Sequence, residues 1–503
     1  MLPHTASAAA LLSTATLITT SIVAQASHLH QKRSVPQFIL LAVSLFVECI
    51  LLVLSYRVTL HPLAKYPGPI MAALTDWYTV YWIAEGSRHL ELHKQHKKYV
   101  KGLENRVVPH VDYLIQKIDE TVPRHGNVLE DPDSEWSLGQ NMGELVAFCI
   151  ADVMGDVTFS QHFNTQRDEK NRHYVHDLPN GVAGIHLVGH MQSLFFCNLH
   201  RLIFNELIVG IGSLMALSRS FAHKRLEERA EGVVRSDVWQ ALLESKDPKT
   251  RRGFTDDELV SEASLFIIGG TDGMITATTG TLFYLVHNSH ALERLTSELR
   301  EKFPFSTTEP DKCPIEFASA QLQRITYLFA CIDESMRLSP PVPSILPRRV
   351  GPGGMVVDGE FFVGGTDLGI PHYSMHRNEE IFPDPLVYNP ERWLDSTSLA
   401  AEKRGGGEGG NLRAGVGQAL GFTPFGAGRS ACIGKYMAYQ EVSYIIARLL
   451  WKFDVRMDAS NPIGEGTGTG LEGRGRKDEF QLFCRFVSEQ RGPMLQFRQR
   501  KDI

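Results

Sequence analysis

The sequence predicts a large, mainly α-helical domain with a small β-sheet, behind an N-terminal membrane anchor. Three observations support this fold class. Long stretches carry apolar residues at i, i+3 and i+4 spacing, the pattern of helices that bury one face. Strand-like runs are confined mainly to residues 354–363, and one almost wholly apolar segment lies near the N terminus. No repeat of about 20 to 50 residues indicates a solenoid or a propeller.

The helical pattern is clearest in four segments. Acidic residues Asp256 and Asp257 mark the start of the longest of them. The predicted helices cover residues 143–157, 257–286, 321–338 and 435–453. A further apolar helix is predicted over residues 178–204, where it offers a generic surface to a substrate.

Composition places the chain among ordinary globular proteins. Its 503 residues are 43% hydrophobic and 21% charged, which is enough to bury one large core. The formal net charge is -6 and no run of lysine or arginine stands out, so a nucleic-acid partner is excluded.

The N-terminal region predicts membrane attachment. Residues Phe38 to Tyr56 form an apolar run of about the 20 residues that one helical span needs. The single acid in it, Glu48, costs roughly 3 kcal/mol at mid-bilayer, which the surrounding Leu, Ile, Val and Phe offset. We therefore predict a transmembrane helix over residues 36–57. Residues 1–35 are predicted to be a leader or a first membrane segment.

The part of the chain that follows the span is predicted to lie in the cytosol, with the span in the endoplasmic reticulum membrane. The basic residues Arg57 and Lys65 follow the span, and basic residues favour the cytosolic side of a membrane. Residues 58–70 form a proline-rich connector, which either orients the next domain or is a plain linker. Residues 71–503 are predicted to be the catalytic domain, with a flexible glycine-rich insert at about 403–418.

The seven cysteines are dispersed and show no Cys-x-x-Cys pair or zinc-type spacing. Such an odd, scattered set argues against a disulfide framework, so a functional cysteine is expected to act alone. The cysteines lie at positions 49, 149, 197, 313, 331, 432 and 484.

Cys432 is the strongest candidate, because a glycine-rich loop, Phe425 to Gly434, places it just before the predicted helix 435–453. Free N–H groups and the positive end of a helix stabilise an anionic sulfur there, which suits a metal-bound thiolate. Glycines let the backbone approach a flat macrocycle, Phe425 can lie against it, and Arg429 can meet an acidic substituent. The alternative is a buried structural thiol.

The loop resembles the Phe-x-x-Gly-x-Arg-x-Cys-x-Gly loop of the cytochrome P-450 family, whose cysteine is the axial ligand of a haem iron. Arg429 lies three residues before Cys432, whereas the family more often has arginine two before. Two further motifs match in order. Glu334-Ser-Met-Arg337 resembles the family's Glu-x-x-Arg helix, and Pro390-Glu-Arg-Trp393 resembles its Pro-Glu-Arg-Phe element, whose Arg392 completes a network with that pair. On residue types alone, Glu334 and Arg337 are a commonplace surface ion pair.

The resemblance implies the cytochrome P-450 fold and haem b as cofactor, with Cys432 as the metal ligand. In Leu346-Pro-Arg-Arg349 it implies that one arginine binds a haem propionate, most simply Arg348, with Arg349 as the alternative. The residues that it assigns to the cofactor site are Phe425, Gly428, Arg429, Arg348, Glu334, Arg337 and Arg392.

The central helix departs from the family pattern, Ala/Gly-Gly-x-Asp/Glu-Thr-Thr/Ser. Here it reads Gly269-Gly-Thr-Asp-Gly-Met274, which keeps the acid as Asp272 but has Gly273 at the threonine position. Proton delivery is then expected from Asp272 with Thr271, Thr276, an ordered water or the substrate itself.

A second departure follows Tyr99. In the family a strand pair, helices and a Trp-x-x-x-Arg segment come next, but here Tyr99 runs almost directly into Glu104, and no tryptophan has an arginine four residues later. The chain is therefore expected to lack part of its small sheet and one wall of the pocket.

The function that the resemblance implies is a membrane-bound monooxygenase that inserts one oxygen atom of O2 into an apolar small molecule of secondary metabolism. The chain has no flavin or nicotinamide fingerprint, so the electrons of NADPH are expected to come through a separate cytochrome P-450 reductase. Gly273 favours a related rearrangement, desaturation or coupling as the alternative. The gap after Tyr99 favours an inactive, truncated remnant.

Overall fold

The computed structural model describes residues 35–59, 71, 88–123, 135–190, 204–235, 237–247, 252–305, 313–394, 421–468 and 473–500. The chain divides into two compact units, Met1–Gly102 and Leu103–Ile503. The second unit contains every candidate site residue named above. The connector at 58–70 falls outside the described residues except at its first two positions, and the insert at 403–418 falls outside them altogether.

Helices dominate the described chain. We number them α1 (Val35–Thr59), α2 (Arg88–Thr121), α3 (Met142–Phe159), α4 (His173–His176), α5 (Leu178–His190), α6 (Asn205–Ala230), α7 (Val238–Glu244), α8 (Asp256–His287), α9 (Ser289–Lys302), α10 (Ala320–Gln323), α11 (Thr326–Leu338), α12 (His372–Met375) and α13 (Lys435–Lys452). Short 3-10 turns cover Glu169–Asn171, Pro390–Trp393 and Gly428–Ser430.

The strands are short and pair antiparallel. They are β1 (Gln140–Asn141), β2 (Arg348–Arg349), β3 (Met355–Val357), β4 (Glu360–Phe362), β5 (Asp367–Leu368), β6 (Phe453–Met457), β7 (Leu482–Arg485), β8 (Val487–Gln490) and β9 (Met494–Gln499). One sheet has the order β1-β9-β6, and the pairs β2-β5, β3-β4 and β7-β8 are two-stranded. The predicted fold class, mainly helical with a small sheet component, is confirmed, and the strand signal at 354–363 corresponds to the β3-β4 hairpin.

Helix α8 is the centre of the second unit and packs against α3, α6, α11 and α13. Its start is fixed by a capping box in which the Thr255 side chain accepts from the Glu258 backbone N–H and the Glu258 carboxylate accepts in return. The acidic start was predicted at Asp256, one residue away, and Thr255 itself was missed. Nearly every residue from Met274 to Leu285 is buried, so this half of the helix is core on all sides.

Helices α5 and α6 approach each other closely because glycines meet at their contact. A Cβ on Gly210 would lie 2.7 Å from the Gly181 backbone nitrogen, and one on Gly181 would lie 2.9 Å from the Gly210 carbonyl oxygen. Only residues without a side chain allow two helix backbones to come this near. The predicted helix at 178–204 is observed as Leu178–His190, and the residues after it lie outside the described part.

The first unit contains α1, whose bounds enclose the predicted span at 36–57. Across the part of the chain that the structure describes, no helix combines the length and the apolar character needed to cross a membrane. The membrane anchor therefore stays a prediction from the sequence.

The junction that follows Tyr99 lies within a helix. Helix α2 runs from Arg88 through Tyr99 and Glu104 to Thr121, and it includes Pro109. No strand pair or loop separates Tyr99 from Glu104. The β2-β5 pair contains two residues on each side, and both residues of β2 are exposed.

Candidate active site

Cys432 lies at the end of a turn that two left-handed glycines shape. Gly426 has φ +68° and Gly428 has φ +67°, backbone conformations that a residue with a Cβ adopts only at a cost. The Cys432 N–H donates to the Phe425 carbonyl at 2.8 Å and closes the loop. Helix α13 begins three residues later, with Gly434 as its N-cap. The loop therefore holds an exposed thiol just before a helix N-terminus.

The side chains around Cys432 divide into a packed side and an open side. Phe425 is half-buried, with its ring centroid 5.2 Å from that of Tyr439 on α13. Ile433 and Tyr436, by contrast, are 92% and 72% exposed. The backbone of Arg429 lies in the Gly428–Ser430 turn, whereas its side chain is outside the described part. Cys432 is thus exposed beside two exposed side chains, Ile433 and Tyr436.

Glu334 and Arg337 form a buried ion pair rather than the surface pair that their residue types alone suggest. Both side chains are 0% exposed, and Arg337 donates to the Glu334 carboxylate from Nε and Nη2, both at 2.9 Å. The remaining Arg337 N–H groups donate to the carbonyls of His376, Pro385 and Val387. All five guanidinium donors are thereby used within the protein, so Arg337 positions other residues and has no donor left for a cofactor.

The Glu334 carboxylate is the hub of a wider network. It accepts five hydrogen bonds, two from Arg337 and one each from Arg392 Nε, Trp393 Nε1 and the Asn389 N–H. The Arg392 bond, at 3.0 Å, is the contact that completes the network expected from the Pro-Glu-Arg element. Burying a carboxylate is tolerable only when its lone pairs are satisfied in this way.

This hub reaches the cysteine loop through aromatic residues that the sequence did not reveal. Trp393 packs on Phe422 with ring centroids 4.6 Å apart, and Phe422 lies 5.3 Å from the His376 ring. The Thr423 N–H donates to His376 Nε2 at 3.5 Å. Burial, with the nearby His372 and Arg337, lowers the pKa of His376 to about 3, so the ring is neutral and its nitrogen can accept.

On the central helix, the glycines have different surroundings. A Cβ on Gly269 would have no neighbour within 4 Å, whereas one on Gly270 would collide with the Met154 side chain. Gly273 is intermediate in crowding, since a Cβ there would be 3.8 Å from the Pro341 Cβ, which is an ordinary van der Waals contact. Gly269 therefore leaves open space beside α8, while Gly270 allows the close packing of α8 on α3.

The two threonine candidates are buried and already hydrogen-bonded. Thr271 donates to the Ile267 carbonyl one turn earlier in its own helix. Thr276 donates toward the Ser488 carbonyl at 3.1 Å and Gln490 Oε1 at 3.2 Å, which places its hydroxyl against β8. Neither hydroxyl is oriented in this structure to pass a proton into an open space.

Asp272 is half-buried and lines a cavity of about 380 Å³ between α3, α5, α8 and the β7-β8 hairpin. Burial and the nearby Glu489 carboxylate raise the pKa of Asp272 to about 7. Glu489 itself is paired with Arg485, whose Nε lies 2.9 Å from Glu489 Oε2. A carboxyl group that titrates near neutral pH can both hold and release a proton, which is the requirement for an acid catalyst.

The two candidate arginines are neighbours in strand β2. Their side chains therefore point to opposite faces of the strand. Arg349 makes two hydrogen bonds of 2.9 Å to the Asp367 carboxylate of β5. Arg348 is exposed and, within the described chain, donates only to the carbonyls of Leu346 and Pro347. Arg348 therefore has its charge available for an acidic group, whereas Arg349 is already paired.

These residues fit a haem group. Cys432 is an exposed cysteine on a loop that Gly426 and Gly428 shape, Arg348 offers an unneutralised guanidinium, and Gly269 leaves open space on the central helix α8. Glu334, Arg337 and Arg392 support the loop from behind through Trp393 and Phe422.

Comparison with known proteins identifies the family. A model of the cytochrome P-450 family matches residues 87–471. The chain belongs to the cytochrome P-450 family. In this family a cysteine thiolate holds a haem iron, and the matched range includes Cys432. The protein is therefore an oxidoreductase.

Among its relatives, this cytochrome P-450 is 32% identical over 401 residues to a cytochrome P-450 monooxygenase of Gibberella zeae, covering 79% of this chain and 85% of the relative. It is 28% identical to the cytochrome P-450 monooxygenase AKT7 of Alternaria alternata, with 88% of this chain and 94% of the relative covered. A crystal structure of a cytochrome P-450 haem domain superposes with a TM-score of 0.58 at 16% identity, covering 80% of this chain and 74% of that one. This last likeness concerns the fold.

The alignment with the Alternaria relative is 509 positions long. Only 88% of the 503 residues of this chain take part in it. It therefore includes positions of the relative that have no counterpart here.

Because the Glu334 carboxylate is buried and accepts five hydrogen bonds, we expect its neutralisation to lower the stability of the protein strongly. Glu334→Gln would leave the Arg337 and Arg392 charges uncompensated in the core, and we expect a cost of about 3–5 kcal/mol in the free energy of unfolding. Urea unfolding of the purified protein, followed by tryptophan fluorescence, measures this cost.

The matched control is Glu169→Gln. Glu169 is 84% exposed and pairs with Arg172 at the same i, i+3 spacing, so its loss should cost less than about 1 kcal/mol. Equal unfolding midpoints for the two variants would contradict the role of Glu334 as the hub.

Proposed function

We propose that this cytochrome P-450 is a haem-thiolate monooxygenase that inserts one oxygen atom of O2 into an apolar small molecule of secondary metabolism. The observation that carries the proposal is the exposed Cys432 thiol on its glycine loop, held by the buried Glu334 network. The relatives from Gibberella zeae and Alternaria alternata, both named monooxygenases, support the reaction type.

The residues of the chain suggest how the site works. We assign haem b as the cofactor, with Cys432 as its thiolate ligand and Arg348 as the partner of a propionate. When bound, the haem supplies a thiolate-ligated iron at which O2 is activated. Gly269 leaves room beside α8, and Asp272 holds a proton on its carboxyl group near neutral pH. The electrons are proposed to come from NADPH through a separate cytochrome P-450 reductase.

The proposal is tested by the optical spectrum of the reduced protein under carbon monoxide. Thiolate-ligated haem gives the red-shifted band from which the family takes its name. We expect this band in the unmodified protein and its complete loss in Cys432→Ser, because a hydroxyl is a far weaker ligand than a thiolate.

Cys484→Ser is the matched control, since Cys484 is also an exposed, free cysteine but lies in β7. That variant should keep the full band. A protein that folds and yet shows no band with Cys432 intact would reject the monooxygenase and support the inactive remnant instead.

Gly273 favours a second candidate, an enzyme of the same family that rearranges, desaturates or couples its substrate without inserting oxygen. The usual hydroxyl is missing at this position, and the neighbouring hydroxyls of Thr271 and Thr276 donate elsewhere. Proton delivery then depends on Asp272, on water or on the substrate. Labelled dioxygen separates the two candidates, because only the monooxygenase transfers the label into the product.

Gly273→Thr tests whether proton delivery limits the reaction. A Cβ at this position would lie 3.8 Å from the Pro341 Cβ, so the first side-chain atom meets no clash. With substrate bound, we expect the variant to release several-fold less hydrogen peroxide per NADPH consumed, because a hydroxyl near the oxygen directs protons to productive cleavage.

Gly273→Ala separates the hydroxyl from the methyl group and from the gain in helix propensity, which is about 1 kcal/mol. Peroxide release in this variant should remain at the level of the unmodified protein. An equal drop in both variants would assign the effect to packing and count against a missing proton relay.

We further propose that the enzyme resides at the endoplasmic reticulum membrane and faces the cytosol. The support is the apolar run from Phe38 to Tyr56 and the basic residues after it. Microsomal fractions of cells that express the full chain should retain the protein after an alkaline carbonate wash, and its release by that wash would argue against an integral anchor.

A further inference from the structure

Two histidines and an aspartate converge at a place that takes no part in the haem site. His110 lies on α2, Asp156 lies near the end of α3, and His162 lies in the loop that follows. Asp156 Oδ2 is 3.4 Å from His110 Nε2 and 3.8 Å from His162 Nδ1. All three atoms lie within 4.8 Å of one another.

These distances are close to those of a zinc site. With bonds of about 2.1 Å from zinc to nitrogen or oxygen, the ligand atoms of a tetrahedron lie about 3.4 Å apart. The contacts of Asp156 are near this value already. His162 is 67% exposed, so its ring can make the small shift that the remaining distance requires.

The aspartate is held in the orientation that a metal ligand needs. Arg106 Nη1 donates to Asp156 Oδ1 at 2.9 Å and also to Ser160 Oγ at 3.0 Å. Oδ1 is thereby occupied, and Oδ2 is directed at both imidazoles. Hydrogen bonds of this kind orient the ligands in known metal sites.

The Asp156 carboxylate lies close to three basic side chains, at 2.9 Å from Arg106 Nη1, 3.4 Å from His110 Nε2 and 3.8 Å from His162 Nδ1. The carboxylate contributes a negative charge, which the adjacent Arg106 partly offsets. The arrangement therefore suits a cation whose binding depends on imidazole nitrogens as well as on charge.

We propose that His110, Asp156 and His162 bind a Zn²⁺ ion, with a water molecule in the fourth position. Two imidazole nitrogens and one carboxylate oxygen are borderline ligands that zinc accepts, whereas Ca²⁺ and Mg²⁺ prefer all-oxygen sites. The ion would link α2 to the end of α3 and its following loop. This site is independent of the monooxygenase activity proposed above.

The test is zinc binding to the full, haem-loaded protein, measured by competition with a fluorescent zinc chelator. The unmodified protein should bind one more equivalent than His162→Gln, or bind it at least about tenfold more tightly, because losing even a residue that only orients a ligand costs about 10- to 100-fold in affinity. His162→Gln is expected to fold because the side chain is mostly exposed. Asp156→Asn is a second variant that should show the same loss.

His290→Gln is the matched control, because His290 is exposed at the start of α9 and belongs to no such cluster among the residues that the structure describes. It should bind zinc like the unmodified protein, and zinc should raise the thermal midpoint of both but not that of His162→Gln. Any zinc held by cysteines would be common to all variants. Equal stoichiometry and affinity in His162→Gln and the unmodified protein would overturn the proposal.

Discussion

The buried carboxylate of Glu334 is the interaction on which the region around Cys432 depends. A charge without access to water is costly unless its lone pairs are occupied, and here two guanidinium groups, an indole and a backbone N–H occupy them. The donors come from α11 and from residues 389–393, so the carboxylate joins segments that are distant in sequence. Any substitution that leaves one of these charges without its partner therefore destabilises the whole cluster.

The hub acts on Cys432 through packing. Trp393 lies against Phe422 at the start of the cysteine loop, and His376 accepts from the backbone of Thr423. Because Arg337 has all its donors occupied within the protein, its influence on a cofactor is indirect. The residues best placed to touch a haem are instead Cys432 and Arg348, which the network leaves exposed.

The central helix presents a less complete arrangement than the cysteine side. Thr271 and Thr276 both use their hydroxyls for carbonyl groups, and Gly273 has none to offer. The titratable group that α8 presents to a cavity is Asp272, whose burial brings its pKa to about 7. A single acid can supply a proton, but it needs a hydroxyl or water to carry that proton to another atom. Proton supply at this helix would therefore depend more on solvent and substrate than on the helix's own hydroxyl groups.

Some of these features follow from local sequence and others do not. Helices α3 and α8 were predicted within two residues at each end, because their apolar patterns are long. The burial of Glu334 and Arg337 was not predictable, since Glu169 and Arg172 have the same spacing and lie at the surface. Arg348 and Arg349 are likewise equivalent in sequence, and only the pairing of β2 with β5 brings Asp367 to the second of them.

The order of these elements along the chain bears on what a lost block would affect. Glu334, Trp393, Phe422 and Cys432 all follow the junction at Tyr99, so the hub and the loop it supports are built without that block. Helix α2 continues through the junction. The described contacts that hold Cys432 therefore all come from the part of the chain that follows Tyr99.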